Sequence, residues 1–220
     1  MNNGNGIEIL KHFILDSCEV KVADVTPLAA EGAIEDALAL LSGYRRDKAL
    51  SYRYERGKML SAGAGLLLDN MLQSRGLRER EMRYVVGEHG KPAFEQHLEL
   101  HFSLSHSGTV VACAIGDVPL GVDVQTIVTA RDSLVNYTMD AAEKAKLYAL
   151  TDTDSRNAYF TQLWTLKESY AKATGTGLTH DFPSLEITDG EVTALKPLTP
   201  PARFFTFALD NSRGAVAILE

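Results

Sequence analysis

Cysteine is scarce in this chain of 220 residues: Cys18 and Cys113 are its only thiols. Two thiols flanked by residues that suit a strand or a core exclude a disulfide framework. They are expected as buried side chains rather than as a bridge or a nucleophile. Long apolar runs are also missing, since nothing approaches the roughly 20 residues of a membrane-spanning helix. The opening MNNGNGIEIL carries neither the basic nor the apolar region of an export signal. A soluble, cytoplasmic protein with no membrane partner is the expectation. Positive charge is in deficit, 22 Lys and Arg against 29 Asp and Glu, and the net charge is −7. That balance argues against a nucleic-acid partner, because such binders draw their affinity from neutralising phosphates over a basic face. No low-complexity linker and no close internal repeat divides the chain.

What is present is 45% hydrophobic residues, ample for an ordinary core. The pattern predicts an α+β protein of two intimately packed subdomains, 1–117 and 118–220, each with helices and three or more strands. In the first, Ile7 to Leu15 reads as a strand, and a following stretch of mixed polarity continues to Val25. Ala29 to Leu41 reads as a helix closing near Ser42-Gly43. Asp47 to about Gln73 is helical, and Gly57, Gly63 and Gly65 mark close packing within it. Met82 to Val86 is a short strand, and Gly87 to Phe94 is a turn that holds Lys91 just before Pro92. Leu98, Leu100, Phe102 and Leu104 alternate with polar residues as a half-buried strand that carries His106 on its apolar side. Thr109 to Ile115 is a central strand.

In the second subdomain, Gly121 to Thr126 is a strand with Asp123 and Gln125 on one face. Helices follow at Asp132 to Tyr137, Asp140 to Leu150 and Arg156 to Thr174. Strands follow at Leu185 to Thr188, Arg203 to Leu209 and Ala215 to Leu219, separated by the turn Asp189-Gly190, the Pro197 to Pro201 loop and Asn211 to Gly214. Along Phe160 to Leu178, steps of four residues stack Trp164, Glu168 and Lys172 on one stripe, while Leu163, Leu166 and Tyr170 can pack inward. Spacing alone makes Glu168 and Lys172 an ordinary surface pair. Between Tyr44 and Lys58, six cations face only Asp47 and Glu55. A local positive field of this kind in an acidic chain is either a solvated helix face or a site for a small polyanion or acidic partner. His89, His97, His101 and His106 crowd one region. The strand reading separates His106 from His97 and His101, however, and no cysteine completes a zinc set.

Four segments spend polar residues where a core alone needs none: Gly90-Lys91-Pro92; Phe102-Ser103-Leu104-Ser105-His106-Ser107; Gly121-Val122-Asp123-Val124-Gln125; and Trp164-Thr165-Leu166-Lys167-Glu168-Ser169-Tyr170-Ala171-Lys172 through to Leu178. Their order and content resemble the 4′-phosphopantetheinyl transferase superfamily, specifically its Sfp-like branch. The resemblance implies two similar subdomains related by a pseudo-twofold, with coenzyme A and Mg²⁺ in the cleft between them. It implies transfer of 4′-phosphopantetheine from coenzyme A to a serine of an apo acyl or peptidyl carrier protein, with release of adenosine 3′,5′-bisphosphate. Asp123 and Glu168 resemble the family's Mg²⁺ carboxylates, and Glu168 also resembles its general base. Lys172 resembles a group that stabilises the leaving phosphate. Lys91, Ser105 and His106 look like coenzyme A phosphate contacts, Arg45 and Lys48 look like contacts to the 3′-phosphate, and the coenzyme-binding residue Lys58 stands where an arginine is common. The chain departs from the pattern at Gln125, which offers the metal a neutral oxygen where a second acid is usual, and at Ser103, where asparagine is common. A module that binds coenzyme A or a carrier without catalysis is the competing reading, with Gln125 as its mark. A chain long enough to house both halves is expected as a monomer.

Overall fold

The computed structural model describes residues 6–15, 17–177, 182–188, 191–194 and 200–220. Contacts divide the chain into two units, Met1–Val118 and Pro119–Glu220.

The first unit is built on helix α3 (Glu55–Gln73), which lies on one face of a four-stranded antiparallel sheet. The strands are β1 (Glu8–Leu15), β2 (Cys18–Asp24), β5 (His101–Ser107) and β6 (Val110–Gly116), in the order β1–β2–β6–β5. Leu60, Leu67, Leu68, Met71 and Leu72 of α3 meet Phe102, Val111, Cys113 and Ile115 in one core. Two glycines on α3 omit a side chain where the helix meets Val25, just after β2, and Leu41. A Cβ on Gly63 would lie 2.2 Å from Val25 Cγ1, and one on Gly65 would lie 2.8 Å from Leu41 Cδ1, both shorter than carbon atoms tolerate. A short ribbon of β3 (Tyr84–Val86) and β4 (Pro92–Phe94) adds Tyr84 and Phe94, which pack with Phe102. Cys18 and Cys113 are buried thiols outside any disulfide among the described residues.

Several boundaries differ from the sequence reading. The strand expected over 7–15 is β1, and the stretch of mixed polarity after it is the second strand of a hairpin. The helix expected over 29–41 is a 3₁₀ turn, Thr26–Ala29, and a separate α1 (Ala33–Ala39). Gly32, at φ 77°, separates them in a conformation that other residues resist. Ser42 is a start rather than a stop. Its hydroxyl accepts from Arg45 N at 3.2 Å and caps α2 (Gly43–Leu50), and the chain breaks again before α3. Leu98 is 65% exposed, and a turn closed by Leu100 N on His97 O comes before β5, so the strand begins at His101. Met82 is buried but closes a 3₁₀ turn on Glu79, which delays β3 to Tyr84.

The second unit sets helix α6 (Thr153–Thr174) against a three-stranded antiparallel sheet ordered β10 (Ala202–Leu209), β11 (Ser212–Leu219), β7 (Leu120–Thr126). Asp152 caps α6 by accepting from Ser155 N at 2.7 Å, and Gly175, at φ 72°, ends it. Phe160, Leu163 and Leu166 of α6 cover Ala215, while Tyr170, Ala171 and Ala173 cover Ala217. Helices α4 (Asp132–Thr138) and α5 (Ala141–Ala149) precede α6, and α5 opens with a capping box between Asp140 and Glu143. A pair β8 (Leu185–Thr188) and β9 (Glu191–Ala194) completes the unit. Leu178, the turn Asp189-Gly190 and most of the Pro197 to Pro201 loop lie outside the described residues. Helices and antiparallel sheets occur in separate runs, so the chain is α+β as expected. Among the described residues, no helix is long and apolar enough to cross a membrane.

Candidate active site

The geometry of the second unit starts from Gly121. A Cβ there would stand 2.0 Å from Ser169 O and 2.5 Å from Ala173 N, so only glycine lets the backbone of α6 rest on β7. That contact brings the polar end of α6 to the face of β7 that carries Asp123. Lys172 Nζ donates to Asp123 Oδ1 at 2.7 Å and to Val122 O at 3.2 Å. The surface pair suggested by the i, i+4 spacing is thus replaced by a bond from helix to strand. Glu168 is half-buried on the same stripe, and its carboxyl is pushed above the usual range by burial first and then by the charge of Asp123, with Lys172 opposing. Two carboxylates and an ammonium therefore converge. Gln125 follows on the same face of β7, opposite Arg213 on β11, whose guanidinium folds back to Leu209 O and Ser212 O.

Lys167, next to Glu168, turns the other way. It is 1% exposed, and its ammonium donates to Glu143 Oε2 at 2.7 Å, Thr138 O at 2.7 Å and Phe182 O at 2.8 Å. Three acceptors satisfy all three hydrogens. The bonds tie α6 to the end of α4, the start of α5 and the 3₁₀ turn Phe182–Ser184. Sequence reasoning assigned Lys167 no role. The one signal was the Asp140-x-x-Glu143 spacing of a capping box, which marks Glu143 as a structured carboxylate.

In the first unit, Lys91 sits in the turn before β4, and burial pushes its ammonium down to about 8. The charge of Lys91 helps depress His101, after burial. His106 lies edge-on to Tyr52, ring centroids 6.3 Å apart, and Ser105 is buried beside it on β5. Arg56, which carried no assignment, donates to Gly108 O at 3.1 Å and holds the turn after His106. The basic stretch divides. Lys48 is exposed on α2, and Lys58 pairs with Glu55 at 2.8 Å. Arg45, expected among the 3′-phosphate contacts, is only 7% exposed and donates to Ser61 O at 3.0 Å, while its Nε has no partner among the described residues. Its guanidinium belongs to the interior of the unit because Ser42 caps α2 and Glu79 holds Ser42, accepting from its hydroxyl at 2.7 Å and its N–H at 2.8 Å.

The family model of the 4′-phosphopantetheinyl transferase superfamily matches residues 119–216, the stretch that holds Asp123, Glu168 and Lys172. A 4′-phosphopantetheinyl transferase of Bacillus subtilis is 29% identical over 175 residues, 78% of this chain and 77% of its own. The transferase Sfp of Bacillus subtilis strain 168 is 26% identical over 167 residues, 74% of each. Residues 119–216 belong to the 4′-phosphopantetheinyl transferase superfamily, and the chain is similar to its Sfp-like members. The transferase AcpT of Salmonella typhimurium is 37% identical to it over a shorter span, 51% of this chain and 59% of AcpT. Among solved structures, the holo-[acyl-carrier-protein] synthase of Thermotoga maritima aligns at a TM-score of 0.39 and 24% identity, over 47% of this chain and 63% of that one. With three quarters of two relatives matched, the chain is an enzyme of the phosphopantetheinyl transferase class.

Proposed function

We propose that this transferase moves 4′-phosphopantetheine from coenzyme A to a serine hydroxyl of an apo acyl or peptidyl carrier protein, and that Asp123, Glu168 and Lys172 carry the reaction. The observation behind this reading is the convergence of those three side chains where Gly121 lets α6 lie on β7. The serine oxygen attacks the β-phosphorus, the bond to the bridging oxygen breaks, and adenosine 3′,5′-bisphosphate leaves with the electron pair. Glu168, held in a partly desolvated place that raises its affinity for protons, is suited to take the serine proton. Lys172 spends two hydrogens on Asp123 and Val122 O. The third can meet a phosphate oxygen as charge builds on the leaving group.

The donor set fits a hard divalent cation. Two carboxylates near enough to repel each other, with an amide oxygen on the same face, suit Mg²⁺, which takes one or two protein carboxylates and fills its shell with water and phosphate. Asp123, Glu168 and Gln125 would hold it, and when bound it would neutralise charge on the phosphate under attack. In the first unit, Lys91, Ser105 and His106 are the proposed contacts to the coenzyme A pyrophosphate. Lys48 and Lys58, exposed or at the surface, suit the 3′-phosphate better than the interior Arg45.

Incubation with coenzyme A, Mg²⁺ and a panel of apo carriers, followed by intact-protein mass spectrometry, tests the reading. One phosphopantetheinyl group on at least one carrier is the expected result. A panel left unmodified while coenzyme A still binds would mean a binding module instead.

A further inference from the structure

The segment that follows β7 is not held by the sheet alone. Ile127 N donates to Asn211 O at 3.0 Å, but the next two inward donors go to the helix: Val128 N to Thr161 Oγ1 at 3.1 Å and Ala130 N to Asn157 Oδ1 at 2.9 Å. Thr161 is fully buried, and its hydroxyl donates to Asn157 O at 2.7 Å, which fixes the proton and leaves the oxygen to accept from Val128. The two periods match. Residues four apart on a helix are about 6.0 Å apart along its axis, and alternate residues of an extended chain are about 6.6 Å apart. One face of α6 therefore serves the 128–130 segment as a neighbouring strand would, with the two chains antiparallel.

We propose that Asn157 and Thr161 are positioning residues for the transfer reaction: they set how far along β7 helix α6 lies, and thereby hold Glu168 and Lys172 opposite Asp123. The inference rests on the transfer reading above. Gly121 fixes how near the helix comes, but a close approach does not by itself fix sliding along the strand. A slip of one turn, about 5.4 Å, would break both bonds and carry Glu168 away from Asp123. Neither residue touches the reacting atoms. Both lie beyond the motif segments that carry the family resemblance.

Thr161→Val keeps the shape and removes the hydroxyl, Thr161→Ser restores it, and Asn157→Ala removes the second acceptor if the valine variant folds poorly. With apo carrier and coenzyme A, kcat should fall about tenfold to a hundredfold in Thr161→Val and Asn157→Ala, with KM for coenzyme A changed less than about twofold. Thr161→Ser should recover most of kcat. A readout independent of turnover is the coupling between Asp123→Asn and Lys172→Met in a double-mutant cycle of urea unfolding. That coupling should fall by more than about half in the Thr161→Val background. Stability lost with the coupling and kcat both intact would overturn the proposal. Should the unaltered enzyme modify no carrier, the transfer reading falls and the coupling cycle alone decides this one.

Discussion

Glu168 binds a proton more tightly than a free carboxyl because water is partly excluded from it and Asp123 is near. A raised pKa leaves more of Glu168 protonated at a given acidic pH than an ordinary carboxyl would be, and on the proposed reading Mg²⁺ must displace that proton. The half-saturating Mg²⁺ concentration for transfer should therefore climb as pH falls, by up to about tenfold per unit below the shifted pKa. Activity titrated with Mg²⁺ at neutral and at mildly acidic pH measures this, and a constant requirement would count against Glu168 as a ligand. Lys91 works in the opposite sense. Its ammonium is pushed down to about 8 by burial, so it is charged below that pH and neutral above it. KM for coenzyme A should rise as pH passes about 8, while Lys91→Arg should keep KM flat, because a guanidinium stays protonated. Steady-state kinetics across that range would show whether Lys91 meets the phosphates at all.

At the scale of elements, α6 carries two lysines with opposite assignments. Lys172 reaches a half-open face, whereas Lys167 is sealed inside with Glu143. Lys167→Met leaves a buried carboxylate without its partner and should cost about 3–5 kcal/mol in urea unfolding. The double variant Lys167→Met/Glu143→Leu should recover much of the loss, and a double variant as unstable as the single one would contradict this account. The stripe of Trp164, Glu168 and Lys172 was legible in the sequence because a helix repeats its faces every four residues. The partners of Lys172 and Lys167 were not, because Asp123 and Glu143 come from other elements and no local period links them. Boundaries failed for a related reason. Ser42 could end one helix or cap the next, and only the carboxylate of Glu79, 37 positions on, settles which. Leu98 satisfied the alternation that predicts a strand, yet a turn at His97 leaves it outside the sheet.

At the scale of the whole molecule, buried apolar residues of 7–115 form one core of the first unit, and residues within 135–217 form cores of the second. The division into two mixed α/β regions was readable from where strands and helices alternate. The interior of the first unit was less so, because Arg45 and Glu79 enter it as charged residues and composition gives no sign of that. The two cysteines show the simpler side of the same sorting. Both lie inside the first unit, and burial raises the Cys113 thiol well above its usual range, away from the reactive thiolate. Maleimide added to the folded protein should leave its mass unchanged and label it only in denaturant; labelling of the native form would refute this. The enzyme's two thiols are thus expected to be silent toward maleimide. A dye joined through maleimide to the thiol of coenzyme A can be offered to it without first quenching the excess reagent, and any colour on the enzyme itself would report unfolding rather than chemistry.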